Sequence, residues 1–440
     1  MALPRRGLPF KLAAAAITFA AVFLALRGLD GSGPELPIVE SAAGGSSAAL
    51  PGASTEKRVA SLQAQLEAGP VDPEGYGQLG LLYLQQVRET GDPTLYARAE
   101  GAFREALRAD PESFTATSGL GSLALARHEF RRALALGERA RGINPQIPRN
   151  YGVIADAQIE LGRYSAAADT LQRWVNLKPE LSSYARVSYF RELHGDLGGA
   201  LAAMRLAVSS GGDSPENFSY VETLVGNLHF TRGAYGAAEG AYRRVLGADP
   251  DYAPAIAGLA RVEAGRGELD SAIRRYREVV RVLPLPEYVI ALGETELAAG
   301  RAAAARRDFA LVDAQTRLLR ANGVNTDVDL ALFEADHGSP RRAVALARDA
   351  WRDAPSVRSA DAYSWALSQA GHDERALALS EEATRLGSRD PSFLFHAGEI
   401  ARRAGRPLEA KALLERLLDQ SPRFSALHAP RARAALRSLG

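Results

Sequence analysis

The chain has 440 residues, 46% of them hydrophobic and 24% charged, proportions ordinary for a folded protein and enough for two or three domains or one elongated array. Its 53 basic residues nearly cancel 52 acidic ones, leaving a formal charge of +1 that supplies no global field for nucleic acid or an anionic membrane surface. No cysteine is present, which excludes disulfides, thiolate metal sites, a cysteine nucleophile and a lipid-modified cysteine.

Arg5, Arg6 and Lys11 precede an apolar run from Leu12 to Leu26. Positive residues ahead of a short apolar stretch mark an export signal. Fifteen helical residues cover only about 22 Å of a hydrocarbon core near 30 Å, but a helix from Leu8 to Leu29 reaches across. Lys11 and Arg27 then snorkel to the two interfaces, and Pro9 is tolerated in the first turn. No small-x-small cleavage site follows Leu26 directly; the first good ones are Val39-Glu40-Ser41 and Ser41-Ala42-Ala43. Residues 1–29 are therefore expected to anchor the chain in a membrane with the remainder extracytoplasmic, or, alternatively, to be cleaved and the protein secreted. Residues 30–57 are rich in Gly, Ser and Ala, lack periodicity and read as a flexible linker.

A fixed period dominates the rest. Pro111, Pro145 and Pro179 are 34 residues apart, as are Pro250 and Pro284. Proline does not continue a helix and disfavours helix in the residue before it, so each one punctuates a recurring helix pair. Gly162-Arg163-Tyr164, Gly233-Ala234-Tyr235 and Gly267-Glu268-Leu269 mark the turn inside a pair. The second helix then carries a small residue followed at i+4 by a bulky one: Ala99 and Phe103, Ala238 and Tyr242, Ala272 and Tyr276, Ala305 and Phe309. Residues four apart share a helix face, so the small one admits a neighbouring helix and the large one fills the space beside it.

These residues closely resemble the tetratricopeptide repeat. Its fingerprint is nearly whole in the first unit, as Tyr76, Leu79-Gly80, Tyr83, Ala99, Phe103, Ala106 and Pro111, with a longer turn from Arg88 to Thr94. Later units keep Leu120-Gly121 with Ala133, Val225-Gly226 with Ala238, and Leu292-Gly293 with Ala305. The resemblance implies an all-α solenoid over residues 58–425, a right-handed superhelix of about ten antiparallel helix pairs with a long concave surface. A helix around Glu56 to Glu67 is expected to cap the start, and an Arg-rich helix in residues 426–440, with Arg431, Arg433 and Arg437, to cap the end. The basic residues are almost all arginine and alanine abounds, a usage expected of a GC-rich bacterial genome.

Catalytic signatures are missing: the sequence contains no Walker A loop, no H-E-x-x-H and no G-x-S-x-G. Gly119-Leu120-Gly121-Ser122-Leu123-Ala124 mimics a dinucleotide fingerprint but falls inside a helix, where the fingerprint needs a preceding strand. No cofactor is expected. The seven histidines are spread one or fewer per unit, so no three metal ligands are expected to converge. His372-Asp373-Glu374 reads as a helix start, and Trp174, Trp351 and Trp365 read as core.

In the family it resembles, the first helix of each unit lines a groove that takes an extended peptide or a partner helix. Carried onto this chain, the groove-facing residues include Asp156 and Thr223, and Arg186, Phe190, Tyr220, Asn227 and Phe230 form the candidate partner site. Asn227 matches one position of the family's carboxylate clamp, but Thr223 stands where its lysine belongs, which speaks against a chaperone-tail ligand. The expected function is a non-catalytic scaffold of the bacterial envelope that binds a protein or peptide. The alternatives are an accessory subunit of an envelope enzyme or assembly complex, or an intracellular regulatory adaptor.

Overall fold

The computed structural model describes residues 54–211 and 215–440, and the expected N-terminal anchor lies outside them. Among the described residues there are 22 α-helices and no strand. Helix α1 (Thr55–Ala68) starts before residue 58, so the last residues assigned to the linker are helical. Ten antiparallel pairs follow: α2 (Pro73–Thr90) with α3 (Leu95–Ala109), α4 (Phe114–Ala126) with α5 (Phe130–Ile143), and α6 (Arg149–Glu160) with α7 (Tyr164–Leu177). Next come α8 (Leu181–Leu193) with α9 (Leu197–Ser210), α10 (Pro215–Thr231) with α11 (Tyr235–Ala248), and α12 (Ala253–Arg266) with α13 (Leu269–Val282). The last four are α14 (Pro286–Ala298) with α15 (Ala302–Ala321), α16 (Asp327–His337) with α17 (Pro340–Asp353), α18 (Val357–Gln369) with α19 (Asp373–Thr384), and α20 (Pro391–Arg403) with α21 (Pro407–Gln420). Helix α22 (His428–Ser438) closes the array.

The local devices are those the chemistry requires. All five period-setting prolines fall between helices. Ser113, Asp196, Ser356 and Asp390 accept N–H bonds at the starts of α4, α9, α18 and α20, satisfying donors the helix itself leaves open. His372 precedes α19 without a side-chain cap bond; Asp373 and Glu374 supply first-turn negative charge instead. The first unit's turn is shorter than its sequence suggests, because α2 continues through Thr90 to a left-handed Gly91.

Packing between units explains the small residues of the first helices. Phe103 is fully buried, and a Cβ at Gly80 or Gly119 would lie 2.4 or 2.2 Å from its ring. Tyr242 fills the equivalent gap between Gly226 and Gly258. A missing Cβ on one helix thus makes room for an aromatic on the next, and filling that room excludes the voids that destabilise a core. The dinucleotide mimic is accordingly ordinary helix: Gly119 lies in α4 against Phe103. Trp174 and Trp365 are buried, and Trp351 packs against the C-terminal core.

The array also winds far enough to touch itself. His128 Nδ1 lies 2.6 Å from the Asn325 carbonyl, and Asn325 N–H donates to the Arg127 carbonyl. One unit on, Val357 N–H donates to the Tyr164 hydroxyl at 2.9 Å, between residues 193 apart in sequence. Two units further, Arg423 N–H donates to Tyr235 Oη and Gln420 Nε2 donates to the Thr231 carbonyl, both at 2.9 Å. A separation near 193 residues corresponds to about six units per superhelical turn. These bonds form a seam between the intra-unit turns of one superhelical turn and the loops of the next, and a partly open cavity lies in the groove inside the superhelix.

Candidate functional site

The cavity has a volume of about 480 Å³ and is lined mainly by first helices of separate units, α8, α12, α14, α16, α18 and α20, with α22 at one end. Such a volume lies within the range of ligand pockets. Its walls are aromatic in part, with Tyr189, Tyr276, Phe393 and Phe395, and heavily charged elsewhere.

The charged groups are held by different partners. His396 Nδ1 donates to both Asp361 oxygens at 2.9 and 3.0 Å and stacks on Trp365 at 4.4 Å. Burial works against a charged His396 ring, yet the Asp361 carboxylate outweighs it and holds the ring above its ordinary value. Glu294 receives His337 Nε2 at 3.1 Å, with His428 Nε2 at 3.9 Å. Burial alone would raise this carboxyl, but the two imidazoles bring it down to about 2. Arg261 donates to Asn227 Oδ1 and Tyr242 Oη and lies 4.0 Å above the Phe230 ring. Burial opposes the charge of Arg358, and Tyr189, Glu160 and Asp329 more than offset it. Asp390 accepts the N–H groups of Ser392 and Phe393 at the start of α20.

Glu192 differs from these groups. Its half-buried carboxyl makes no hydrogen bond or ion pair among the described residues. Burial and the Asp390 carboxylate push it up to about 7, against the pull of Arg261 and Arg358.

The expectation that no three metal-type ligands converge is corrected here. Glu294, Asp336 and His428 bring one ligand atom each to within 4.8 Å of one another. The superhelix gathers them from α14, α16 and α22, which no spacing in the sequence shows. Their hydrogen bonds are wired for another purpose, however. Arg431 lies 3.3 Å from His428 Nδ1, leaving the ring proton on Nε2, which faces Glu294. A metal on Nε2 would displace that proton and place Nδ1–H against the guanidinium, so the donor set does not suit a cation bound through His428.

None of Arg186, Phe190, Tyr220, Asn227 and Phe230 lines the cavity. Arg186 is 1% exposed, bonded through Nε to both Asp156 oxygens at 3.0 and 2.9 Å and lying over Trp174. Such a pair stabilises by staying together, because removing either member leaves a buried charge. Tyr220 and Phe230 are 4% and 3% exposed, and their packing accounts for them. Phe190 is half-buried and packs on His194. Asn227 stands directly behind the cavity by orienting Arg261. The residues that sequence reasoning missed include Glu192, between Arg191 and Leu193, and Glu294, after Leu292-Gly293. Their cost of burial is the clue a sequence offers.

Comparison with known proteins agrees with this architecture. One tetratricopeptide repeat profile matches residues 124–187 and 229–292, and another matches 94–148 and 362–423. Cellulose synthase 1 operon protein C of Komagataeibacter xylinus is 24% identical over 274 residues, covering 60% of this chain and only 18% of that protein. Similar solved structures include a thermophilic tetratricopeptide repeat protein of Thermus thermophilus, at 18% identity and TM-score 0.37, covering 48% of this chain and 100% of that one. The type IV pilus biogenesis factor PilW has 19% identity and TM-score 0.39, with 47% of this chain and 97% of that one covered. A human IFIT1 dimer with PPP-AAAA has 16% identity and TM-score 0.45, with 83% and 86% covered. With its 34-residue period, its ten helix pairs and the two profile matches, the chain belongs to the tetratricopeptide repeat family.

Proposed function

We propose that this protein is a non-catalytic scaffold of the bacterial cell envelope that holds a short segment of a partner protein in the cavity inside its superhelix. Proteins of this family bind protein or peptide partners. The observation that carries the reading is the cavity itself, because first helices from six units face one partly open space of about 480 Å³. That space admits a few residues of extended chain and is too small for a folded domain. The envelope assignment rests on Arg5, Arg6 and Lys11 ahead of the apolar run in residues 12–26. No helix among the described residues is long and apolar enough to cross a membrane, so residues 1–29 are the proposed anchor.

A photo-crosslinking residue placed at Ala291, on the cavity wall, or at Leu408, 85% exposed on the outside, tests the assignment in cells making the full chain. One reproducible partner attached at Ala291 and absent at Leu408 is the expected result. Equal labelling at both positions, or none at Ala291, defeats it. Fractionation of the same cells checks the anchor: full-length protein confined to the cytosol removes the envelope part.

A second reading has one observation in its favour. The relative from Komagataeibacter xylinus carries the name of a cellulose synthase operon, which suits an accessory subunit of an envelope polysaccharide enzyme. Copurification of the full chain with a glycosyltransferase distinguishes this reading from a general adaptor.

A further inference from the structure

We propose that the cavity selects a cationic side chain, the ammonium or guanidinium group of a lysine or arginine in a basic partner segment. The inference rests on the reading of the cavity as the occupied site and adds the chemistry of the occupant.

Five carboxylates line the space, on Glu192, Glu294, Asp336, Asp361 and Asp390, against the guanidinium groups of Arg261 and Arg358 and the raised imidazole of His396. This imbalance is local, because the whole chain is nearly neutral. Each cation already present is engaged: Arg261 on Asn227 and Tyr242, Arg358 on Tyr189, and His396 on Asp361. Internal pairing accounts for Glu294, and the α20 N–H groups account for Asp390. The other two carboxylates make no direct ion pair. Among the described residues, Asp336 receives only the Trp365 indole N–H at 3.0 Å, and Glu192 receives nothing.

An uncompensated carboxylate half-buried beside aromatic walls is costly in the empty protein. A ligand cation entering the cavity supplies the missing charge, and Tyr189 and Tyr276, which also line the space, add aromatic surface for its methylene stem. A neutral segment relieves none of this, and an acidic one adds repulsion. Metal occupancy is disfavoured by the His428 tautomer described above.

The state of Glu192 gives the site a pH signature. Burial and Asp390 raise it to about 7 while Arg261 and Arg358 oppose them, and His396 titrates across the same wall. A cation binds the ionised carboxylate, so affinity rises as pH increases through 7 while the ligand lysine stays charged.

The experiment is calorimetric titration of the full chain with three N-acetylated tripeptide amides, trilysine, trialanine and triglutamate, and with Zn²⁺ alone. Trilysine is expected to bind, more tightly at pH 8 than at pH 6, with no heat from the other two peptides. Glu192→Gln is expected to weaken trilysine binding about tenfold at pH 8 and to reduce the pH dependence to the part that His396 contributes. Asp336→Asn, which preserves an acceptor for Trp365, weakens it to a smaller degree, and Glu112→Gln on the outer surface leaves it unchanged. Removing the strained Glu192 charge leaves the melting temperature at pH 8 no lower than that of the unaltered protein, which separates lost binding from lost fold. Binding of trialanine or triglutamate as tight as trilysine, indifference to Glu192→Gln, or Zn²⁺ binding that requires His428 overturns the proposal. If Ala291 captures a partner while trilysine does not bind, only the cation chemistry falls and the cavity assignment survives.

Discussion

Two sets of glycines occupy the same turn of the repeat and live in different surroundings. Gly162, Gly195 and Gly233 have φ of 69°, 73° and 72°, and Gly267, Gly300, Gly371 and Gly405 have φ between 71° and 85°. All seven make the left-handed residue that ends a first helix, a conformation costly for residues with a Cβ. A Cβ on any of the last four would meet nothing within 4 Å. On the first three it would lie 2.1 to 2.2 Å from the carbonyl oxygens of Pro355, Gly387 and Gln420. Identical local chemistry therefore serves one purpose in the open turns and two along the seam, where the missing side chain also lets successive superhelical turns touch.

The contrast is broken most strongly by Gly233→Ala. Left-handed strain of about 1–2 kcal/mol applies at any of these positions. At Gly233 the clash with a backbone carbonyl adds to it, for a total of about 3 kcal/mol or more. Gly300→Ala is the matched control, expected to cost only the strain. Urea unfolding of both variants measures the difference, and small-angle scattering is expected to show a longer particle for Gly233→Ala alone. Equal losses in the two variants would mean the seam contributes nothing to stability.

A smaller change isolates the seam without backbone strain. Tyr235→Phe deletes the hydroxyl that accepts from Arg423 N–H and contacts Ser421 Oγ at 3.0 Å, leaving the repeat's own core intact. A loss of about 1–2 kcal/mol is expected, together with faster hydrogen exchange at Arg423. Unchanged protection at that amide would show that the loop is held by other contacts.

The smallest effect depends on pH. His128 replaces glycine at the corresponding turn of its unit, with φ of 60°, and its Nδ1–H bonds the Asn325 carbonyl. Burial pushes the ring down to about 4, the Asn325 bond pulls the other way, and Arg358 adds to the lowering. The unfolded ring, near 6.5, takes up its proton first as pH falls. The folded state then binds fewer protons, so the stability contributed above 6.5 declines steadily down to about 4. In His128→Asn, which tolerates the left-handed turn, this part of the acid loss disappears. Melting curves of the two proteins at pH 7 and pH 5 give the comparison; an unchanged difference between the two pH values in the variant defeats it.

Much of the fold was legible because its determinants are local. A proline every 34 residues, glycine at the turn, and Ala99 with Phe103 four apart each act through the helix they belong to. The candidate site was not legible to the same degree. Arg186, Tyr220 and Phe230 have the residue types favoured at interfaces, but the same aromatic bulk and guanidinium geometry serve the packing between units, and in this chain they do. Tyr164 and Tyr235, two places after Gly162 and Gly233, carried a partial trace of the seam in the sequence; Gly195, also in the seam, is followed by Leu197, as the open Gly267 is by Leu269.

The sequence by itself determined an all-helical repeat, its period, its turns and the ends of most helices, because each depends on side chains within a few residues of one another. Only the tertiary structure decided that successive superhelical turns touch, that Glu192 stands without a hydrogen-bond or ion-pair partner among the described residues, and that Glu294, Asp336 and His428 meet. Those outcomes depend on small rotations between units, which accumulate over about six repeats until residues some 190 apart come into contact.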